Sequence, residues 1–283
     1  MPKYPSPQAA SLRRDPLPLR GRNALVTGAS RRSGIGYAVG RRLAALGASV
    51  YLHHHVPHDA TQPWGADPGG PEAVAAGVRE VSGDPEARVC HGPADLADPA
   101  APGALIATAS GALGGTIDIL VANHALSGGD GTLDEIDAAM LDAHWAVDTR
   151  AVLLLVQAFA RMRTAASAGT RGGRVVMMTS GQDIAGGMPH EIAYALAKGA
   201  LASVTRSLAT GLADLGVTVN TVNPGPVDTD YLVGQDYRDV EERFPSGRWG
   251  MPDDPARLIA WLATDEAEWI TGQVIDSEGG FRR

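Results

Sequence analysis

The chain lacks the features that mark secreted, membrane-spanning and nucleic-acid-binding proteins. Its single cysteine, Cys90, excludes a disulfide within the chain, so a reducing, cytoplasmic setting is expected. No apolar run approaches the roughly 20 residues of a membrane span, and the amino terminus has no apolar core of a secretory signal. The net charge of −8 and the absence of a basic run argue against nucleic acid as the main partner.

Glycine, by contrast, is abundant: 35 of the 283 residues are glycine, without the three-residue period of collagen. Hydrophobic residues make up 44 % of the chain, which is enough for a sizeable core. Residues 1–20 carry charge and proline and are expected to form a flexible tail, or an arm laid on a neighbouring surface. Residues 21–283 are expected to form one domain without internal repeats.

Apolar strand-like segments alternate with segments of helical spacing from residue 23 onward. Because the strands are continuously apolar, the pattern predicts a parallel sheet covered by helices on both faces, a doubly wound α/β fold. Ligands of such folds bind at the carboxyl ends of the strands. The predicted strands are 23–27, 49–52, 88–91, 118–122, 174–179, 217–222 and 274–276, the predicted helices are 35–46, 72–81, 99–113, 133–163, 194–215 and 254–265, and 54–71 is predicted to be a long loop.

A glycine-rich turn joins the first strand to the first helix. Glycines at such a turn let the backbone approach a pyrophosphate, whose charge is favoured at a helix N-terminus. The strand–turn–helix context makes this interpretation more specific than the glycine pattern alone. The residues assigned to the phosphate turn are Gly28, Ser30, Arg31, Arg32, Gly34, Ile35 and Gly36.

The end of the second strand indicates which nicotinamide cofactor is bound. An acidic side chain there selects NAD, whereas a basic one nearby accommodates the 2′-phosphate of NADP. His54 occupies the expected acidic position, and Arg31 and Arg32 supply guanidinium groups suited to phosphate. NADP(H) is therefore favoured over NAD(H). No metal site is predicted, because only Asp59 accompanies the histidines of this region.

A candidate catalytic set lies further along the chain. Tyr194 and Lys198 are four residues apart and would share one helix face. A neighbouring ammonium group lowers the pKa of a tyrosine, normally about 10, which suits the phenol to general acid/base catalysis. Ser180 follows an apolar strand and could bind a substrate carbonyl, although Thr179 or Gln182 could take that position instead.

Together these motifs resemble the short-chain dehydrogenase/reductase family over roughly residues 20–281, closest in general pattern to 3-oxoacyl-acyl-carrier-protein reductases. The resemblance implies a Rossmann-like fold, a Ser–Tyr–Lys catalytic set and a homo-oligomer, a tetramer or dimer, that packs through 138–163 and 194–215. It also implies further cofactor contacts beyond those of the glycine turn, with Tyr194 and Lys198 also at the cofactor. These further residues are Asp95, Leu96, Asn123, Pro224, Gly225, Val227 and Thr229.

The sequence differs from the family pattern at two informative places. Asp148 aligns with the asparagine that holds a proton-relay water in the family, and it is included among the catalytic candidates. The glycine turn has two extra residues and so resembles that of bacterial enoyl-acyl-carrier-protein reductases. Those enzymes place six residues between tyrosine and lysine, however, and the corresponding position here is Glu191. The spacing favours C=O over C=C reduction.

The leading hypothesis is an NADPH-dependent carbonyl reductase that runs in reverse as an alcohol dehydrogenase. Its substrate would be a small carbonyl compound or alcohol, an acyl thioester included. The alternatives are an enoyl-thioester reductase and a non-catalytic nucleotide sensor. Residues 230–250 are expected to cover the substrate, and their aromatic side chains could equally line a pocket or pack within a short lid.

Overall fold

A computed structural model describes residues 14–166, 172–184, 186–232 and 234–282. Its strands are β1 (Asn23–Val26), β2 (Ser49–His54), β3 (Val89–Pro93), β4 (Ile119–Ala122), β5 (Arg174–Met178), β6 (Thr218–Asn223) and β7 (Val274–Asp276). The α-helices of these ranges are α1 (Ile35–Ala45), α2 (Val56–Thr61), α3 (Gly70–Arg79), α4 (Ala101–Leu113), α5 (Ala138–His144), α6 (Ala151–Ala165), α7 (Ile192–Leu212), α8 (Gly234–Glu241) and α9 (Asp253–Leu262). None of these helices is long and apolar enough to cross a bilayer.

The strands form one parallel sheet in the order β3-β2-β1-β4-β5-β6-β7. Chain order reverses between β1 and β4, so the connections that follow these two strands leave in opposite directions and open a crevice at the carboxyl edge. The predicted doubly wound α/β architecture is confirmed. The glycine turn after β1 and Asn123 after β4 both lie at this crevice.

Two hydrophobic clusters cover the two faces of the sheet. One cluster packs Leu43 of α1 and Ile259 of α9 against the sheet, and both side chains are fully buried. The other packs Leu105 of α4, Phe159 of α6 and Leu201 of α7 against the opposite face. Burial on both faces explains why β4 is apolar at every position rather than at alternate ones.

Three predicted segments differ from the structure. The predicted loop 54–71 contains the short helix α2, with Pro57 in its first turn. The predicted helix 133–163 begins at Ala138 and includes a π-helical segment, Trp145–Arg150, between α5 and α6. Leu19 lies in the predicted tail but is fully buried and donates its N–H to the Leu46 carbonyl, so this part of the tail packs on the domain. Residues 1–13 of that tail lie outside the described residues.

Candidate active site

The glycine turn after β1 is held in place by Asn123. The Nδ2 of Asn123 donates to the carbonyl oxygens of Thr27 and Gly28 at 3.0 and 3.1 Å. Gly28 has a φ of +69°, and a Cβ there would lie 2.6 Å from the Cα of His124. A Cβ on Gly36 would lie 2.6 Å from the Gly28 carbonyl oxygen. Both glycines are therefore required by close backbone approach, in addition to the positive φ at Gly28.

His53 supports the same turn from β2. Its Nδ1 accepts the backbone N–H of Gly28 at 3.2 Å, and its Nε2 lies 3.0 Å from the Ala94 carbonyl oxygen, to which it donates. Burial lowers the pKa of His53 to about 4. The imidazole is thus neutral at physiological pH, with its proton on Nε2.

A cavity of about 920 Å³ opens at the carboxyl edge of the sheet, beside the glycine turn. It contains most of the residues that the sequence assigned to the cofactor and to catalysis. The predicted residues that line it are Gly28, Ser30, Arg31, Gly34, Ile35, Asp95, Leu96, Asn123, Ser180, Tyr194, Lys198, Pro224, Gly225, Val227 and Thr229. The described residues contain no group of three or more histidine, cysteine or carboxylate side chains placed to hold a metal ion.

Three predicted cofactor residues lie outside this lining: Gly36, which packs against the Gly28 carbonyl group, His54 and Arg32. The side chain of His54 lies against β3, where its Nε2 is 3.2 Å from His91 Nδ1. Side chains alternate along a strand, so the neighbours His53 and His55 reach the cavity and His54 does not. Arg32 forms a bidentate ion pair with Asp67, with its closest contact at 2.8 Å. Neither His54 nor Arg32 lines the cavity in this structure, and their direct contacts with the cofactor stay a prediction.

Arg31, in contrast, spans the mouth of the cavity. It donates to the Thr229 carbonyl oxygen at 3.0 Å, and its Nε lies 3.5 Å from Asp59. Its guanidinium group also lies over the Trp64 ring, 5.3 Å from the ring centroid. The arginine thereby joins the glycine turn to α2 and to the segment after β6. Asp59 and Trp64, which the sequence reasoning left in an unassigned loop, are part of the site.

Ser180 presents the hydroxyl group best placed to meet a substrate. Its Oγ lies in the cavity, 3.6 Å from the Met188 sulfur. The Thr179 hydroxyl instead donates to the Lys198 carbonyl oxygen at 2.9 Å. Gln182 accepts the Ser180 N–H through its Oε1 at 3.2 Å and does not line the cavity. Of the three candidates, only Ser180 has an available hydroxyl in the cavity.

Tyr194 and Lys198 meet as their spacing predicts, with the Nζ of Lys198 5.6 Å from the Tyr194 ring centroid. The Nζ donates to the His124 carbonyl oxygen at 3.4 Å. Burial raises the pKa of Tyr194, the charges of Asp148 and Glu191 act in the same direction, and a hydrogen bond with Ser180 opposes them. The predicted lowering of the Tyr194 pKa is thus not what this environment produces. A raised pKa keeps the phenol protonated, as a proton donor must be.

Asp148 lies behind this pair, within the π-helical segment, and does not line the cavity. Its side chain is fully buried, and its Oδ1 accepts the Leu126 N–H at 2.7 Å. π-Helical turns often occur at functional sites because they displace one residue from the regular helical register. Asp148 therefore contacts the wall of the site rather than the cavity itself.

Two residues that the sequence reasoning missed complete this wall. The Nδ1 of His144 lies 3.1 Å from Asp148 Oδ2, and its ring meets the Tyr194 ring edge-on at a centroid distance of 6.1 Å. Asp130 accepts the backbone N–H groups of Ala193 and Tyr194 at 2.9 and 2.7 Å. The spacing of four residues between His144 and Asp148 predicts that their side chains share one helix face, so the sequence could have identified this pair. No local sequence pattern links Asp130 to α7.

The aromatic residues of 230–250 divide between the two expected environments. Tyr231 lines the cavity. Trp249 is buried, stacks on Tyr237 at a centroid distance of 4.8 Å and lies 6.1 Å from Phe244. One ring therefore faces the ligand space, and the others form the packed base of the segment that carries it.

Comparisons with known proteins agree with this architecture. A family model described as Enoyl-(Acyl carrier protein) reductase matches residues 28–282. The chain is 42 % identical over 260 residues to an uncharacterized oxidoreductase, YjdA, of Bacillus subtilis, covering 92 % of this chain and 96 % of that protein. It is 30 % identical over 278 residues to an NADPH-dependent aldehyde reductase-like chloroplastic protein of Arabidopsis thaliana, covering 96 % and 98 %.

A comparison with solved structures also covers most of the chain. A short-chain dehydrogenase/reductase from Serratia marcescens superposes with a TM-score of 0.79 at 32 % sequence identity. The superposition covers 93 % of this chain and 99 % of that one.

Proposed function

The chain belongs to the short-chain dehydrogenase/reductase family, and on that basis we propose that it is an NADP(H)-dependent carbonyl reductase. The observation that carries the proposal is the meeting of Ser180, Tyr194 and Lys198 in the cavity that also contains the glycine turn. The reaction would interconvert a ketone or aldehyde and the corresponding alcohol.

The residues of the cavity fit a nicotinamide dinucleotide. No side chain caps the N-terminus of α1, which begins after Gly34, so its first N–H groups suit a pyrophosphate. Asp95 and Leu96 would flank the adenine, Lys198 would bind the nicotinamide ribose, and Thr229 would lie at the carboxamide. The bound cofactor would supply the hydride and the redox chemistry.

The protein would supply binding, orientation and the proton. Ser180 Oγ would donate a hydrogen bond to the carbonyl oxygen and so polarise the C=O bond. Tyr194 would give its phenolic proton to the same oxygen as negative charge develops there. The high pKa of Tyr194 supports this order, because the phenol holds its proton until the carbonyl oxygen becomes basic.

Two observations support NADP(H) over NAD(H). The end of β2 presents His53 and His55 to the cavity and no carboxylate, and Arg31 supplies a cation at its mouth. Asp59 lies 3.5 Å from the Nε of Arg31 and partly offsets its charge. The aldehyde reductase-like relative is described as NADPH-dependent, which agrees with the proposal.

Enoyl reduction is the second candidate, favoured by the description of the matching family model. It would place tyrosine seven residues before Lys198, where this chain has Glu191 in the cavity wall. A carboxyl group at that position does not replace a phenol.

The test is cofactor oxidation, followed by absorbance, with a panel of ketones, aldehydes, a 3-oxoacyl thioester and an enoyl thioester. Turnover of carbonyl substrates that falls at least about a hundredfold in Tyr194→Phe, with NADPH affinity retained, supports the proposal. Tyr37→Phe on α1 is the matched control. NADPH binding without turnover of any substrate supports a sensor instead, and turnover of the enoyl thioester alone supports enoyl reduction.

Assembly into a dimer or tetramer through 138–163 and 194–215, and a cytoplasmic location, stay predictions. Sedimentation of the purified chain measures the first, and fractionation of its host cell measures the second.

A further inference from the structure

His144 is enclosed by carboxylates in the wall behind Tyr194. Its side chain is completely buried, as is that of Asp148, whose Oδ2 lies 3.1 Å from His144 Nδ1. On the other side, Asp130 Oδ2 lies 3.9 Å from His144 Nε2. An imidazole between two buried carboxylates is in the environment that most favours its charged form.

Charge balance in this wall depends on the protonation state of His144. Asp130 and Asp148 contribute two negative charges, and Lys198 contributes one positive charge. With a neutral His144 the wall would hold an excess negative charge beside the phenol, in a region with little solvent to screen it. With a charged His144 these four groups sum to zero, and Glu191, whose pKa is raised by burial, is the remaining carboxyl group of the wall.

We propose that His144 is a positioning residue that remains positively charged and neutralises Asp148, so that an aspartate can occupy this wall without holding a negative charge against Tyr194. The proposal rests on the proposed function, since it concerns the same phenol. His144 acts through Asp148 and Tyr194 and transfers no proton to the substrate.

The charged groups around His144 and Asp148 shift pKa values in directions that agree with a positively charged His144. Burial works against the charged form of His144, but the hydrogen bond with Asp148 and the charges of Asp148 and Asp130 outweigh it and raise the His144 pKa. Burial, with the charge of Asp130 acting in the same direction, raises the Glu191 pKa. The titratable groups that face the pair are Asp130, Glu191, Tyr194 and Lys198, with His58 of α2 near Asp148.

The first test needs no turnover. In ¹⁵N-labelled protein, the two ring nitrogens of His144, assigned by comparison with His144→Asn, should give the shifts of a doubly protonated imidazole through pH 8. A ring that becomes neutral below pH 8 in the folded protein overturns the proposal. This result is independent of whether any carbonyl substrate is reduced.

The second test is a double-variant cycle on the pH dependence of kcat/KM for alcohol oxidation with NADP⁺ saturating. Tyr194 must lose its proton in this direction, and the positive charge of the nicotinamide would counter the burial that raises the pKa of the phenol. His144→Asn should move the rising limb about one unit to higher pH, because it uncovers the charge of Asp148. Adding Asp148→Asn should return the rising limb to within about 0.3 pH units of its original position, which corresponds to a twofold change in rate at a given pH.

Asp142→Asn, on the exposed face of α5, is the matched control for loss of a carboxylate and should not move the limb. A His144→Asn variant that loses activity without a displaced limb, or a double variant that fails to restore it, shows a packing role and overturns the proposal. If His144→Asn does not fold, His144→Gln takes its place, and the ring-nitrogen shifts of the unaltered protein still decide the charge.

Discussion

The Oδ2 atom of Asp130 accepts the backbone N–H of Tyr194 at 2.7 Å, which ties the loop after β4 to the first turn of α7. The residue before this helix, Glu191, makes no side-chain cap of its own. Asp130 therefore takes the place of a local cap across 64 residues of sequence. Through this contact the chain fixes where α7 begins.

Asp130→Ala should lower both stability and turnover. Loss of the hydrogen bonds to Ala193 and Tyr194 should reduce the free energy of unfolding by about 1 kcal/mol or more and kcat by about tenfold, because the phenol loses its fixed position. Asp137, whose carboxylate caps α5 by accepting the Met140 N–H, provides the control. Asp137→Ala should cost similar stability in urea denaturation with kcat unchanged, and equal losses of kcat in both variants would contradict the role given to Asp130.

Gly28→Ala should destabilise the glycine turn by more than the strain of a left-handed backbone conformation alone. A Cβ there meets the His124 backbone at 2.6 Å, whereas Gly21, with a φ of +74°, has nothing within 4 Å of an added Cβ. Gly21→Ala should therefore cost only the left-handed strain, about 1–2 kcal/mol, and keep NADPH affinity. Gly28→Ala should lose more stability and weaken NADPH binding at least about tenfold. Calorimetric titration with NADPH compares the two variants, and equal affinities would count against the turn as the phosphate site.

Arg31 and Arg32 should differ sharply in their importance for NADPH. Arg31 lies at the mouth of the cavity, and Arg32 is held by Asp67 outside it. Arg31→Ala should raise the KM for NADPH about tenfold, consistent with loss of a charge-assisted contact, while Arg32→Ala should change it less than about threefold. Steady-state kinetics with NADPH and NADH measures both variants. A larger effect of Arg32→Ala would show that Arg32 leaves Asp67 when the cofactor binds.

His53 should make the protein less stable in mild acid. Burial lowers its folded-state pKa to about 4, so between the unfolded value and pH 4 the unfolded chain binds more protons. This contribution to stability is complete above about pH 6.5 and falls with pH through that range, by about 3 kcal/mol at most.

His53→Asn should flatten the dependence of the unfolding free energy on pH between 6.5 and 4, measured by urea denaturation. His190→Asn, at an exposed position, is the matched control and should leave the dependence as it is. An unchanged slope in His53→Asn would assign the acid sensitivity to other groups, His54 first, since burial and His91 lower its pKa to about 4 as well.

The sequence by itself determined the sheet, the glycine turn and the Ser180–Tyr194–Lys198 set. These features follow from local patterns: apolar runs buried on both faces, glycines where backbones meet, and a spacing of four on one helix. The helix α2 escaped prediction because its six residues are too few to show a helical periodicity, although Pro57 in its first turn is compatible with a helix.

Only the tertiary structure decided which side chains share the site. Adjacent strand residues point to opposite faces, so a shift of one residue places His53 and His55 at the cavity and turns His54 toward His91. Arg32 is removed from the cavity by Asp67, which lies 35 residues away in sequence. The burial that raises the Tyr194 pKa, and the contacts of Asp130 and His144 with its helix, arise from chain segments brought together by folding, which no local pattern contains.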